Sequence, residues 1–186
     1  KLYSKTKEEI EEAITAIRAR SLPEGVTKDQ FAGVTELNIY RYLCGLSDDV
    51  KSDRDLNAEA QMASEACEKN GALSHTIGSF TDKCNLCGPG LVGIKESVRR
   101  YMLDSGAKNR AHRGHRAYCL NPMMGKTGFG WSGGYSAMWA LDSSSHSRLD
   151  FWSYPGSGLF PADYVHSNSW SAYFADGAPN AETVNI

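Results

Sequence analysis

Two imidazoles and two thiols are the side chains best placed to do chemistry. His75 follows directly on the turn signal Asn70-Gly71. His115 lies in residues 109–122, a stretch rich in rings and guanidinium groups. A neutral imidazole ligates zinc or copper and moves protons near neutral pH. If both rings face one cleft, they could hold a divalent metal, zinc first, or orient a substrate. Cys84 and Cys87 form a Cys-x-x-Cys pair. As a thiolate, Cys84 would add a third ligand to the histidines and Cys87 a fourth. The same spacing suits a disulfide, a redox pair or inert buried thiols, and these readings stay open. His112 shares a helical spacing with His115, and Arg116 next to it would pair with an acid such as Asp104 or with solvent. His146 and His166 fall in polar loops where solvated imidazoles are expected. Ser74, Ser132 and Ser136 show no triad partners, and no phosphate-loop, dinucleotide or zinc-protease signature occurs.

These residues need elements to hold them. Thr6 with Glu9 makes a capping box for a helix over residues 6–20, whose Ile10, Ala13, Ile14 and Ile17 share one face. Thr27 with Gln30 opens a second, to about Leu43. It carries Asn38, Tyr40 and Arg41, read either as a solvated face or as functional. Asp53 caps a third, with a stripe of small residues (Ala60, Ala63, Cys67) suited to close packing on a sheet. Residues 78–93 are too rich in glycine for regular structure, and a fourth helix covers about 94–104. Beyond Tyr118, glycine, serine and aromatic residues dominate. Strands are predicted at 127–131, 136–141, 149–154, 170–174 and 182–186. Helices first and strands second indicate an α+β domain.

Taken in order, several segments resemble the CAP superfamily of cysteine-rich secretory, antigen 5 and pathogenesis-related 1 proteins, or SCP domains, in its bacterial form. Leu37, Asn38 and Arg41 match its first-helix signature. Asp53, Arg54 and Leu56 with Ala60, Gln61 and Ala63 match the second helix. Gly71, Leu73, Ser74 and His75 resemble the segment of its first histidine. Gly114, His115 and Arg116, with Pro122 six residues past the arginine, resemble that of its second and favour His115 over His112. Residues 98–104 are similar to its third helix, and Phe151, Trp152 and Pro155 fit its sheet. The resemblance spans roughly residues 35–161.

It implies an α-β-α sandwich with a central antiparallel sheet and a cleft lined by two histidines and two acids, in some members holding a divalent metal. By position the cleft residues are His75, Cys84, Asp104, His115 and Arg116. His75 and His115 are the metal candidates, with Cys84 as a further ligand, and Asp104 is the candidate base. Cys84 stands where the family has glutamate, and Tyr101 where it commonly has tryptophan. The expected organisation is a helical extension over 1–30, the CAP/SCP-like domain over 31–165 and a β extension over 166–186. The extension is expected to pack on the sandwich through its isoleucines.

At 186 residues with 41% hydrophobic side chains, one ordinary domain is expected. Twenty basic against 22 acidic residues leave a net charge of −2, with no footprint for nucleic acid or anionic membrane. No apolar run approaches the roughly 20 residues of a transmembrane helix. The chain begins at Lys1, as a processed or a trimmed protein would, and five cysteines with the resemblance point to a secreted or cell-surface monomer. Two functions follow. The first is a noncatalytic binding module for a small apolar ligand, a glycan or a protein partner. The second is a metal-assisted, protease-like hydrolase using His75 and His115. Exposure of Trp131, Tyr135, Trp139, Trp152, Tyr154 and Trp170 would favour glycan or apolar ligands, and burial would mark them as core.

Overall fold

A computed structural model describes residues 5–106, 109, 112–165 and 170–177. Four helices fall where capping and periodicity place them. Helix α1 (Lys7–Arg18) starts at the Thr6/Glu9 box and α2 (Lys28–Leu43) at the Thr27/Gln30 box. After the two-residue strand β1 (Lys51–Ser52), Asp53 accepts hydrogen bonds from the backbone of Asp55 and Leu56 to open α3 (Arg54–Asn70). Gly71 closes α3 at a left-handed φ of 68°. Helix α4 (Ile94–Leu103) ends at Asp104, also left-handed.

Two elements escape the sequence reading. Cys84–Cys87, placed in an irregular loop, is strand β2, and Gly114–Cys119 is a short helix, α5. Apart from Gly78, the glycines that suggested a loop begin only at Gly88, and a four-residue strand whose first three residues are buried carries no alternation to read. The strand predicted at 127–131 divides at Gly128 into β3 (Lys126–Thr127) and β4 (Phe129–Ser132). Strands β5 (Tyr135–Trp139), β6 (Phe151–Tyr154) and β7 (Ser171–Phe174) lie close to prediction. The strand predicted at 182–186 lies outside the described residues, as does His166.

The architecture is α+β with small sheets. The largest is three antiparallel strands in the order β2-β5-β4. Cys84 pairs with Trp139, Leu86 with Ala137, and Phe129 with Met138. Two-stranded ribbons β1-β3 (parallel) and β6-β7 (antiparallel) flank it. Period-2 alternation sends Cys84, Leu86, Tyr135 and Ala137 into one apolar cluster with Ala60, Ala63 and Cys67 of α3. Phe129 and Met138 go into the other cluster, with Val34, Leu37, Val98 and Tyr101 of α2 and α4. Helices therefore cover both faces of the sheet. Ile10, Ile14 and Ile17 of α1 join the second cluster, so the N-terminal helix packs through its isoleucine face.

Helix α3 meets the sheet backbone to backbone. A Cβ on Gly128 would lie 2.1 Å from the Leu56 carbonyl carbon, and one on Gly130 2.3 Å from the backbone of Ala60. At that separation the amides of α3 reach β4. Asn57 Oδ1 accepts from the Phe129 N–H (2.8 Å). Gln61 accepts from the Trp131 N–H and donates to its carbonyl (3.0 and 3.1 Å). On the other face Gln30 donates to the Phe129 carbonyl. An edge strand would otherwise present unpaired backbone groups, and these side chains stand in for the missing neighbour.

Arg41 is fully buried, contrary to a solvated helix face. Its guanidinium donates to the carbonyls of Ser47, Cys119, Asn121 and Met124 at 2.7–3.4 Å, with no carboxylate among these acceptors. Burial lowers its pKa to about 10, so it stays cationic at neutral pH. Replacing it leaves four carbonyls without their donor. Arg41→Met is expected to cost about 3 kcal/mol in urea unfolding. Arg100→Met, which removes a half-exposed pair with Glu96 and a contact with the Cys87 thiol, is expected to cost about 1 kcal/mol.

Candidate functional site

The two histidines, 40 positions apart in sequence, line one cleft of about 350 Å³. One wall comes from the turn after α3 and the 3-10 turn Thr81–Lys83, and carries His75, Asp82, Lys83 and Cys84. The opposite wall carries Asn109 and His112 with His115 and Tyr118 of α5, while Ala140 and Leu141 close one end.

Each imidazole is held by its Nδ1. His75 Nδ1 lies 2.7 Å from the Thr81 carbonyl oxygen. His115 Nδ1 lies 2.9 Å from Asp104 Oδ1, and the His115 ring leans on the Tyr101 ring at 5.6 Å between centroids. The Asn109 amide is also 3.4 Å from His115 Nδ1. The Asp104 contact is shorter and charge-assisted, so it decides the tautomer. Carbonyl and carboxylate oxygens only accept, so in the neutral ring Nδ1 carries the proton and Nε2 is left as an acceptor.

Asp104 does not line the cleft. It is 1% exposed and sits behind His115, with Oδ2 accepting from the Arg116 backbone N–H at 3.4 Å. As a base in contact with substrate it is therefore displaced, and it acts as the positioning residue of His115. Arg116 leaves the cleft altogether. Its fully buried guanidinium donates to the Met102 carbonyl (2.7 Å) and Ser171 Oγ, and lies 4.3 Å from the centre of the Tyr154 ring.

Cys84 borders the cleft but belongs to the apolar cluster under α3, where burial first and Asp82 second push its thiol up to about 12. It is a thiol at neutral pH, and a thiolate ligand does not fit these surroundings. Cys87, three residues on in β2, points to the opposite face of the sheet, toward α4, and cannot join the same site. Among the described residues, no three His, Cys, Asp or Glu side chains come together in a way that could hold a metal ion. Among the described residues, neither Cys84 nor Cys87 thus joins the two histidines as a third or fourth ligand. All five cysteines are free, with Cys44, Cys67, Cys84 and Cys119 buried.

The sequence reading passed over Asp82, Lys83, Asn109 and Tyr118. The 3-10 turn brings Asp82 and Lys83 to the cleft, α5 brings Tyr118 and the turn before α5 brings Asn109, and none of these carries a periodic signal. The aromatic residues divide: Trp131 and Trp170 are exposed, Tyr135 and Tyr154 are buried, and Trp139 and Trp152 are half-buried. A larger groove, about 650 Å³, runs between α1 and residues 159–164. There Lys7 pairs with Glu11 and Arg18 donates to the Tyr164 hydroxyl, so much of its polar lining is turned on itself. Compared with known proteins, the sequence matches no family model and no curated relative at a significant level.

The thiols give a direct check. Without reductant, a chromogenic thiol reagent should count five thiols in denatured protein and few in native protein at pH 8. At that pH a group titrating at about 12 is ionised to roughly one part in ten thousand. Fewer than five after denaturation would mean disulfides. The raised values of Cys84 and Cys119 also set the alkaline limit. Unfolded thiols ionise near 9 and folded ones near 12, so the unfolded state loses protons first. Stability should fall as pH rises from about 9 toward 12.

Proposed function

We propose that the chain is a CAP/SCP-like binding module, secreted or carried at the cell surface. It works as a monomer and uses the His75/His115 cleft to hold a small ligand without chemical change. One observation carries this reading: the two histidine segments that resemble the family converge on one cleft, each ring fixed through Nδ1 with Nε2 left as the acceptor. Helices on both faces of an antiparallel sheet support the α-β-α part of it. With a net charge of −2, nucleic acid is a poor partner. Among the described residues no helix is long and apolar enough to cross a membrane.

The cleft offers little to a hydrolase. Its cysteine is protonated, its buried carboxylate touches imidazole instead of solvent, and among the described residues no group of three donors could hold a metal. An Asp-His pair with no nucleophile beside it is a fixed acceptor before it is a catalyst.

Titrating a library of small fragments into labelled protein and following backbone amide shifts tests the proposal. Perturbations are expected to converge on residues 75–84 and 112–118 and to weaken in His75→Ala. Turnover of a peptide or ester substrate that is lost in His115→Ala would replace this reading with the hydrolase.

A further inference from the structure

The cleft's hydrogen bonds restrict what it can hold. Because Thr81 and Asp104 fix the protons of His75 and His115 on Nδ1, the two Nε2 atoms are acceptors, and a ligand meeting both must bring donors. Donors come as a cation or as neutral hydroxyls, and the charges nearby choose between them. Asp82, the carboxylate lining the cleft, is already 2.9 Å from the Lys83 ammonium. Behind His115, the Asp104 carboxylate accepts from the Arg116 backbone N–H and its charge acts on the Arg116 guanidinium. Among the described residues, each negative charge at the cleft has a positive neighbour, so these residues leave no surplus to attract a cation and no bare cation to attract an anion.

The rim adds an apolar surface. Tyr118 is 43% exposed and Leu141 47%, and both line the cleft. A part-exposed aromatic ring and a volume near the lower end of the roughly 300–1,000 Å³ usual for ligand pockets suit one small ring with an apolar side. We infer that the cleft binds a neutral polyhydroxylated ligand the size of a single sugar ring. Its hydroxyls donate to Nε2 of His75 and His115, and its C–H face rests on Tyr118. This rests on the binding reading above and narrows it to one ligand class.

The probes are methyl β-glucoside, methyl α-mannoside, methyl β-galactoside and N-acetylglucosamine, followed by saturation-transfer NMR at millimolar concentration. Long-range nitrogen spectra of the histidines are recorded in parallel. At least one probe should receive saturation on its ring C–H protons. Tyr118→Ala and His75→Phe, both at exposed positions, should each weaken binding by about fivefold or more. Both histidines should show the Nδ1–H tautomer. A protonated Nε2 on either neutral ring, or sugar binding unchanged in both variants, overturns the inference. So does a silent panel while other fragments still shift the cleft amides, and that result leaves the binding reading standing. Fragments that bind only outside the cleft sink both.

Discussion

The close contact between α3 and β4 is the constraint from which most of the structure follows. Glycine at 128 and 130 removes the side chains that would hold a helix about 10 Å from a sheet, and Ala60 and Ala63 do the same from the helix side. Only at that distance can Asn57 and Gln61, with their short reach, replace a strand neighbour for β4. The contact also fixes how far α3 extends before Gly71 turns the chain. His75 follows four residues later, where Thr81 can take its Nδ1 proton. One wall of the cleft is thus set by glycines more than 50 positions downstream of the histidine it carries.

The other wall depends on two buried guanidinium groups. Helix α5 has six residues and α4 ten, too short to be stable alone, so their arrangement must come from outside contacts. Arg41 collects carbonyls from the end of α5 and the turn after it, tying that end to α2. Arg116, inside α5, reaches the last carbonyls of α4. A guanidinium suits this work because its planar fork satisfies several carbonyls at once and stays charged even when burial lowers its pKa. With α5 clamped at both ends, His115 is left facing the cleft, against Tyr101 and Asp104. Both arginines fix the geometry of a site that neither of them touches.

The sequence was legible wherever local chemistry decides the outcome. Capping boxes and isoleucine spacing placed α1 and α2, and Asp53 and Gly71 bounded α3, because these signals act within a turn or two. His75 and His115 were singled out as sharing a cleft, and the structure brings them together. The failures share one cause. Strand β2, helix α5, the burial of Arg41 and the inward turn of Arg116 are all decided by partners 30 or more positions away, or by carbonyls that no residue type announces. Cys84 misled for a related reason. Its place in the resemblance suggested a ligand, but whether a thiol ionises depends on the dielectric around it, and here Ala60, Ala63 and Cys67 supply an apolar one.

That last difference bears on what a cleft of this shape can do. A glutamate at position 84 would need solvent or a cation to stay ionised, and it would bring a negative charge between two imidazoles, favouring a metal there. A protonated thiol in the same place takes that charge away. What remains among the described residues is two oriented acceptors, a paired Asp82 and Lys83, and an aromatic rim: a polar surface whose described charges are paired. Such a surface has little power to stabilise the charge that builds up in a hydrolytic transition state. On the binding reading proposed above, it would discriminate between ligands by counting their donors, since a hydroxyl missing at either histidine would leave an acceptor unmet in a partly enclosed site.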